Sequence, residues 1–244
     1  MKAIILAAGR GSRLNELTEE QPKCMTKLGG TPLIHWQINA LRKAGIEDIT
    51  IVTGYLHDVV EGLGIPTVQN QKWASTNMVS SLMCATDLID QPCIVSYSDI
   101  VYGADVVEKL LQGDAEISVA YDDNWLEQWQ ERFANPLDDA ESLRLGQNGR
   151  LLEIGNKVDD IGEIQGQYLG LMQFTPAGVG WIKDLFKNPE IDPDKLDMTT
   201  LLGLLIAAGH PLQGVRTSGN WCEIDTQSDL QVAEKRLIEG LLKN

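Results

Sequence analysis

The sequence predicts an α/β fold with a mainly parallel central sheet. Short apolar runs alternate along the chain with segments of helical periodicity, and the first run, KAIILAA, ends directly in the glycine-rich turn of residues 8–13. A continuous apolar run that ends at glycine is typical of a buried strand. Strands that alternate with helices form βαβ units, whose ligands bind at the carboxyl ends of the strands. The glycine turn lies at such an end.

The predicted elements follow this alternation in order. After the first strand we expect a helix from Thr31 to Ala44, which Gly45 ends, and then the strand DITIVTG. The next elements are the strand IPTVQN, the helix MVSSLMCATDLI, the strand CIVSYSD, the helix ADVVEKLLQ and the strand AEISVAY. Residues 122–148, which are acidic and contain tryptophan, break the pattern, so we interpret them as an insertion or lid.

The remaining part of the chain, residues 149–244, resumes the alternation. GRLLEIG and QYLGLMQF are predicted strands, PAGVGWIKDLF and MTTLLGLLIAAG are predicted helices, and SDLQVAEKRLIEGLLK is the predicted last helix. Ser228 is the candidate N-cap of that last helix, because serine side chains accept hydrogen bonds from the first helical turn.

Composition limits the domain organisation and the classes of partner. A chain of 244 residues with 43% hydrophobic residues is suited to a single domain over residues 1–244. A formal net charge of −15 argues against binding of nucleic acid or an anionic membrane, so a small-molecule partner is favoured. The apolar runs are too short to span a bilayer, and the four cysteines are scattered. We therefore expect a cytoplasmic protein with reduced thiols and no zinc site.

The glycine turn LAAGRGSRL does not fit the common dinucleotide-binding motif. That motif needs a third glycine where this chain has Leu14, and a carboxylate after the second strand, which here ends in Thr53-Gly54. Gly9 and Gly11 instead leave neighbouring N–H groups free to bind an anion, with charge added by Arg10 and Arg13. An ordinary tight turn with two exposed arginines is the alternative.

Three motifs carry a resemblance to a known family. LAAGRGSRL, QPKCM and TPLIHWQINAL resemble the signature of nucleotidyltransferases that activate sugar 1-phosphates and small phosphorylated alcohols, and SYSDIVY, GRLLEIGNK, QYLGLMQF and NWCEIDTQSDL extend the match over most of the chain. TNMVSSLMCA, ERFANPLDDAESL and NWCEID are most similar to small cytidylyltransferases. These act on phosphocholine, aminoethylphosphonate or, in bacterial capsule phosphoramidate synthesis, glutamine phosphate, and the last group is the most similar. The resemblance implies a Rossmann-like three-layer α/β/α sandwich with a mixed, mostly parallel central sheet, of the nucleotide-diphospho-sugar transferase type.

The resemblance also implies a donor site for a nucleoside triphosphate, preferably CTP. Asp99 and Asp225 are the implied ligands of a Mg²⁺ cofactor, which prefers carboxylate oxygens, although each aspartate taken alone suits a turn or a helix cap. Lys23 is the implied catalytic cation at the α-phosphate, and Arg13 is implied to hold the outer phosphates. The implied nucleotide-binding residues are Leu6, Ala7, Ala8, Gly9, Gly11, Ser12, Arg13, Gln69 and Ser81.

The acceptor site is implied by the same resemblance. Lys157 is the implied cation near the acceptor phosphate, and the candidate acceptor-binding residues are Tyr102, Trp125, Tyr168, Trp221 and Glu223. Trp125 and Trp129 lie four residues apart on one helical face, which suits either packing or a cation–π contact with an amine-bearing acceptor. We expect CTP and a small phosphorylated acceptor as partners, pyrophosphate as a product, and a homodimer as one possible assembly.

Three alternative functions stay open from the sequence. The first is a sugar-1-phosphate nucleotidyltransferase that uses UTP, GTP or dTTP. The second is a dehydrogenase-like dinucleotide binder, which the missing third glycine disfavours. The third is a catalytically silent nucleotide sensor, which the joint presence of Lys23, Asp99 and Asp225 disfavours.

Overall fold

A computed structural model describes residues 1–243, apart from the side chains of residues 15 and 16. The strands are β1 (Lys2–Ala7), β2 (Lys27–Leu28), β3 (Thr31–Pro32), β4 (Asp48–Thr53), β5 (Thr67–Gln69), β6 (Cys93–Tyr97), β7 (Ile100–Tyr102), β8 (Ile117–Asp122), β9 (Leu143–Leu145), β10 (Leu151–Ile154), β11 (Gln167–Phe174), β12 (Gln213–Thr217) and β13 (Trp221–Glu223). The α-helices are α1 (Leu33–Lys43), α2 (His57–Glu61), α3 (Met78–Met83), α4 (Ala104–Leu110), α5 (Trp125–Arg132), α6 (Pro176–Leu185), α7 (Met198–Ala207) and α8 (Gln227–Ile238). Residue 244, the last of the predicted domain, lies outside the described residues.

The central sheet has seven strands in the order β12-β8-β11-β6-β1-β4-β5. β1 pairs in parallel with both β4 and β6, whereas β11 runs antiparallel to β6 and to β8. The predicted mixed, mostly parallel sheet is therefore confirmed. Because the chain leaves β1 toward β4 and later returns to β6 on its other side, a crevice opens at the carboxyl end of β1, where ligands bind in open α/β sheets.

Alternation along β1 divides the core between the two faces of the sheet. Ala3, Ile5 and Ala7 pack into one cluster with helices α1 and α4, while Ile4 and Leu6 pack into a second cluster with α3, α6 and α7. Side chains of a strand alternate between its two faces, so a fully apolar strand needs a cover on both. The result is the predicted three-layer α/β/α arrangement.

Several predicted boundaries differ from the structure. The predicted helix at residue 31 begins at Leu33, because Thr31–Pro32 pairs with β2. The predicted strand GRLLEIG is shorter and pairs with β9 in a separate hairpin. The edge strand β12 was not predicted, since its residues QGVRT show little apolar alternation.

The predicted N-cap of the last helix is wrong. Thr226, not Ser228, caps α8, because the Thr226 hydroxyl accepts from the Asp229 N–H while the Asp229 carboxylate accepts from the Thr226 N–H. This reciprocal capping box satisfies two N–H groups at once, which a serine two residues later cannot do.

Residues 122–148 form a packed wall, with α5 at its start. Trp125 and Trp129 of α5 belong to the core cluster on the α1 side, and α5 packs against α8. Among the described residues, no helix has the combination of length and apolar character needed to cross a bilayer.

Candidate active site

The glycine turn forms the floor of the crevice at the end of β1. Gly11 has φ +74°, a conformation that favours glycine, and its carbonyl accepts hydrogen bonds from the Leu14 N–H and the Thr18 hydroxyl. A Cβ on Gly9 would face open space. The N–H groups of Gly9, Arg10 and Gly11 donate to no acceptor among the described residues, so they are available to an anion.

Lys23 lies directly against this turn. A Cβ on Gly11 would come within 2.7 Å of Cβ and Cδ of Lys23, so the glycine leaves room for the aliphatic stem of the lysine. The Lys23 ammonium donates to Asp99 Oδ2 at 2.8 Å and to Asp225 Oδ1 at 2.5 Å. Burial alone would lower the pKa of Lys23, but the two carboxylates outweigh it and raise the pKa. Lys23 is therefore a buried, charged group.

The two aspartates are brought together by the short antiparallel pair β7–β13. Asp99 precedes β7 and Asp225 follows β13, and the Ile224 N–H donates to the Asp99 carbonyl at 2.8 Å. This pairing places both carboxylates at the carboxyl end of β6, beside the glycine turn. The predicted trio Lys23, Asp99 and Asp225 is thus assembled in one place.

The carboxylates fit a divalent cation. Asp99 Oδ1 is buried and accepts no hydrogen bond from any described residue, which leaves an unpaired anionic oxygen at the site. Lys23 uses the other oxygen of Asp99 and one oxygen of Asp225. Because Mg²⁺ binds through one or two carboxylates plus substrate phosphates, Asp99 and Asp225 are suitable ligands.

A buried arginine, Arg132 at the end of α5, supports this carboxylate pair. Its guanidinium bonds to Glu223 at 2.7 Å and to Asp229 at 2.9 Å, and it lies 3.9 Å from Asp225 Oδ2. The side chain of Arg132 is only 1% exposed. Nevertheless, burial and the neighbouring carboxylates, Asp225 foremost, raise the pKa of Glu223 to about 7 against the opposing effect of Arg132.

Two cavities meet at this charged centre. The first, which we call the glycine-loop cavity, has a volume of about 270 Å³. Its lining comprises Leu6, Ala8, Gly9, Gly11, Ser12, Arg13, Lys23, Trp73, Thr76, Asn77, Met78, Ser81, Ser98 and Asp99. The glycine turn contributes backbone N–H groups and the Arg13 guanidinium to this lining, and residues 73–81 contribute aromatic and hydroxyl groups.

The second, which we call the carboxylate cavity, has a volume of about 250 Å³. Its lining comprises Arg13, Tyr97, Trp129, Asp139, Glu141, Ser142, Ile154, Gln167, Tyr168, Asp197, Thr199, Glu223 and Asp225. Burial raises the pKa of Asp139 and of Glu141, because removal from water disfavours the charged carboxylate. Arg13 lines both cavities and bonds to Asp225 Oδ1 at 2.9 Å.

Most predicted donor residues line the glycine-loop cavity, but two do not. Ala7 is buried in the core, on the opposite face of β1 from Leu6. Gln69, at the end of β5, is exposed and lines a separate surface groove with Lys72 and Asp194. Gln69 thus lies outside the glycine-loop cavity, whereas Ser81 belongs to its lining.

Some of the predicted acceptor residues line the carboxylate cavity, and the others do not. Tyr168 and Glu223 line the carboxylate cavity. Tyr102, Trp125 and Trp221 are buried in the core outside its lining, where the Trp221 indole donates to Asp122 and the Tyr102 hydroxyl to Ser96. The structure therefore assigns these three aromatic residues to packing. Lys157 is exposed and lines neither cavity, but its charge lowers the pKa of Glu141 against the stronger effect of burial.

Several lining residues were missed from the sequence, and four of them bear on the chemistry of the site. Trp73 lies in the glycine-loop cavity, and Asp139, Glu141 and Asp197 lie in the carboxylate cavity. The acidic run ANPLDDAES inside residues 122–148 was the available signal for Asp139 and Glu141. Asp197 gave none, because an aspartate before a helix is an ordinary N-cap, a role that it also fills here.

Comparison with known proteins places this geometry in a family. The profile of the MobA-like NTP transferase domain matches residues 3–185. CTP:phosphoglutamine cytidylyltransferase from Campylobacter jejuni is 40% identical over 250 residues, covering 95% of this chain and 98% of that protein. UTP–glucose-1-phosphate uridylyltransferase AglF from Haloferax volcanii is 24% identical over 98% of this chain and 97% of its own.

A solved structure shows the same fold. The structure of CTP:phosphocholine cytidylyltransferase from Streptococcus pneumoniae superposes with a TM-score of 0.75 at 24% identity, over 97% of this chain and 98% of that one. The profile match and the match to the full-length relative both agree with the geometry of the site. There a glycine turn, a lysine and two aspartates lie together at the end of β1. The chain belongs to the MobA-like NTP transferase family and is a nucleotidyltransferase.

Proposed function

We propose that this chain is a Mg²⁺-dependent cytidylyltransferase that transfers CMP from CTP to a small phosphorylated or phosphonate acceptor and releases pyrophosphate. The observation that carries the proposal is the meeting of two cavities at Lys23, Asp99 and Asp225. The free N–H groups of the glycine turn suit a triphosphate, and the acidic second cavity suits an acceptor. The 40% identical relative is named for CTP and phosphoglutamine.

The proposed reaction needs no covalent intermediate on the protein. An oxygen of the acceptor phosphate attacks the α-phosphorus of CTP, a new phosphorus–oxygen bond forms, and the bond to the β-phosphate oxygen breaks with its electrons leaving on pyrophosphate. Catalysis then consists of positioning and of offsetting charge. Asp99 and Asp225 would hold the Mg²⁺ ion, which when bound would supply positive charge to offset that of the phosphates.

The residues of this chain divide the remaining work. The N–H groups of Gly9 to Gly11 and the Arg13 guanidinium hold the outer phosphates. Lys23 places a buried positive charge at the α-phosphate, where negative charge develops. Lys157, an exposed residue whose charge acts on Glu141 of the carboxylate cavity, attracts the acceptor phosphate.

The carboxylate cavity favours an acceptor that carries an ammonium group. Asp139, Glu141 and Asp197 line it together with the aromatic residues Trp129 and Tyr168. Carboxylates attract a cation, and aromatic faces add a cation–π contribution of about 0.5–2 kcal/mol. Glutamine phosphate, phosphocholine and aminoethylphosphonate all carry such a group, and the first is our preferred acceptor.

A pyrophosphate-release assay tests the proposal directly. CTP, UTP, GTP and dTTP are each combined with glutamine phosphate, phosphocholine, aminoethylphosphonate and glucose 1-phosphate. We expect the fastest release with CTP and glutamine phosphate. Fastest release with UTP and glucose 1-phosphate would favour the uridylyltransferase alternative, and release with no pair would reject the proposal.

Substitution of the aspartates tests the metal site. Asp99→Ala and Asp225→Ala are each expected to abolish Mg²⁺-dependent turnover and to remove the Mg²⁺-induced rise in melting temperature, while circular dichroism shows a folded protein. Asp90→Ala is the control, because Asp90 is 67% exposed in an ion pair with Lys2 at the far end of β1. An unchanged Mg²⁺ response in either site variant would reject that ligand.

A further inference from the structure

A buried amide, Asn70, lies behind the glycine-loop cavity in a fixed orientation. Asn70 is 3% exposed, and its side-chain Oδ1 accepts a hydrogen bond from the Lys72 N–H at 2.9 Å. A backbone N–H can only donate, so the oxygen of the amide must face Lys72. The Nδ2 group, with its two hydrogens, therefore points the other way.

The two hydrogens of Asn70 Nδ2 are directed at two hydroxyl oxygens. Thr76 Oγ1 and Ser81 Oγ each accept from Nδ2 at 3.1 Å. A hydroxyl that accepts at one lone pair still has its own hydrogen to donate elsewhere. Both hydroxyls therefore keep a hydrogen to donate.

The two hydroxyls differ in where that hydrogen goes. Thr76 donates to the Lys72 carbonyl at 3.1 Å, so its hydrogen is used within the turn. The Ser81 hydroxyl hydrogen has no acceptor among the residues that the structure describes. Ser81 is 5% exposed and lines the glycine-loop cavity, so the hydrogen is available to a ligand there.

The part of the ligand that reaches Ser81 follows from the layout of the cavity. Phosphates belong at the glycine turn, with Arg13 and Lys23, so the base of a nucleotide lies at the opposite end, among Trp73, Asn77 and Ser81. The two pyrimidines differ at N3, which accepts a hydrogen bond in cytosine and carries a hydrogen in uracil, whereas O2 accepts in both. A hydroxyl that offers its hydrogen to N3 therefore matches cytosine.

We propose that Asn70 is a positioning residue: by donating to Ser81 Oγ it keeps the Ser81 hydroxyl hydrogen directed into the base end of the cavity, and so favours cytosine over uracil. This inference rests on the proposed use of a pyrimidine nucleoside triphosphate. Without the amide, the serine hydroxyl rotates freely and either donates to cytosine or accepts from uracil.

Asn70→Asp reverses the local hydrogen-bond direction with almost no change of shape. An ionised carboxylate still accepts the Lys72 N–H, but it also accepts the hydrogen of Ser81, whose oxygen then has only lone pairs to present to the cavity. The test compares the dissociation constants of CTP and UTP, measured by calorimetry at pH 8 with Mg²⁺, and kcat/KM for each nucleotide. The CTP-to-UTP preference is expected to fall about tenfold.

The ratio separates this effect from general damage. The added negative charge weakens both triphosphates alike, so it cancels in the ratio. Gln173→Glu, which adds a carboxylate at a residue that is 5% exposed on β11, is the matched control and should leave the ratio unchanged. Ser81→Ala should lower the ratio to the same extent, and Asn70→Asp should lower it no further in the Ser81→Ala background, because Asn70 acts through Ser81.

The outcomes distinguish this inference from the proposed function. A folded Asn70→Asp variant with the wild-type CTP-to-UTP ratio overturns the inference. If Asn70→Asp does not fold, Ser81→Ala carries the test, and an unchanged ratio in that variant overturns the inference equally. Failure of the wild-type protein to release pyrophosphate with any acceptor would reject the proposed function, while the two dissociation constants would still test the role of Asn70.

Discussion

At the residue scale, the contact between Gly11 and Lys23 joins two motifs that are separate in the sequence. The glycine turn and the lysine were predicted from different segments, with the lysine role implied by resemblance. The structure shows that the stem of Lys23 occupies the space that a side chain at residue 11 would fill. Gly11 therefore serves both the backbone conformation of the turn and the position of the ammonium group.

Gly11→Ala is expected to damage catalysis as well as stability. The φ of +74° disfavours alanine by about 1 kcal/mol, and the new methyl group would displace Lys23 from Asp99 and Asp225. Gly30→Ala is the matched control, because Gly30 has φ +82° and open space at its Cβ position. Urea denaturation should show a larger loss for Gly11→Ala, which also disturbs the buried ion pairs of Lys23, and only Gly11→Ala should lower kcat, by tenfold or more. Equal kcat values would contradict this role of Gly11.

At the element scale, the end of α5 is held to β13 and α8 by Arg132. This helix begins the segment that the sequence suggested as an insertion or lid, yet its last residue carries the guanidinium that contacts Glu223 and Asp229. The Arg132 guanidinium also lies over the rings of Trp129 and Phe133, at 5.0 and 4.9 Å. The wall of the carboxylate cavity is thus tied to β13 and α8, the two elements that flank Asp225.

Arg132→Met is expected to destabilise the protein by about 3–5 kcal/mol, because it leaves buried carboxylates without their cation. The free energy of unfolding in urea measures this loss. Arg144→Met removes an exposed pair with Glu153, in which the arginine side chain is 60% exposed, and should cost less than about 1 kcal/mol. Similar losses in the two variants would show that the Arg132 cluster does not hold α5 in place.

The elements also show how far prediction from the sequence extends. Strong apolar runs such as β1 and β6 were predicted because their pattern is local, whereas the roles of the residues at their carboxyl ends were implied by resemblance and stay predictions. The three-residue pair β7–β13 was not predicted, although it brings Lys23 within reach of a carboxylate 202 residues away. Tyr102 and Trp221 are close in sequence to site residues, but the Tyr102 hydroxyl and the Trp221 indole form hydrogen bonds inside the core. Neighbourhood in sequence does not determine which way a side chain faces.

At the scale of the whole molecule, the stability of a chain with net charge −15 depends on the lysine and arginine side chains that pair with its acidic groups. The Glu131 carboxylate of α5 accepts hydrogen bonds from Lys235 and Arg236 of α8, so it links these two helices. Burial alone would raise the pKa of Glu131, but the hydrogen bonds from Lys235 and Arg236 outweigh it and lower the pKa.

This lowered pKa predicts how stability depends on pH. A carboxyl group with a folded pKa below its unfolded value of about 4.3 stabilises the fold above that pH, and the contribution disappears as the pH falls through the folded pKa. Glu131→Gln should therefore be less stable than the wild type at pH 7, and the difference should shrink toward pH 3. Urea denaturation across this range measures it. A difference that is independent of pH would indicate that the ionised form of Glu131 does not contribute.

The position of Arg13 also has a kinetic consequence. Among the described residues, Arg13 is the one that lines both cavities. Its guanidinium lies 2.9 Å from Asp225 Oδ1. Under the proposed function, a triphosphate at the glycine turn would compete with Asp225 for this guanidinium. An Arg13 side chain that turned toward the donor would leave the lining of the carboxylate cavity. Under the proposed function, we therefore expect an ordered reaction in which the nucleotide binds first and thereby opens the place of the acceptor.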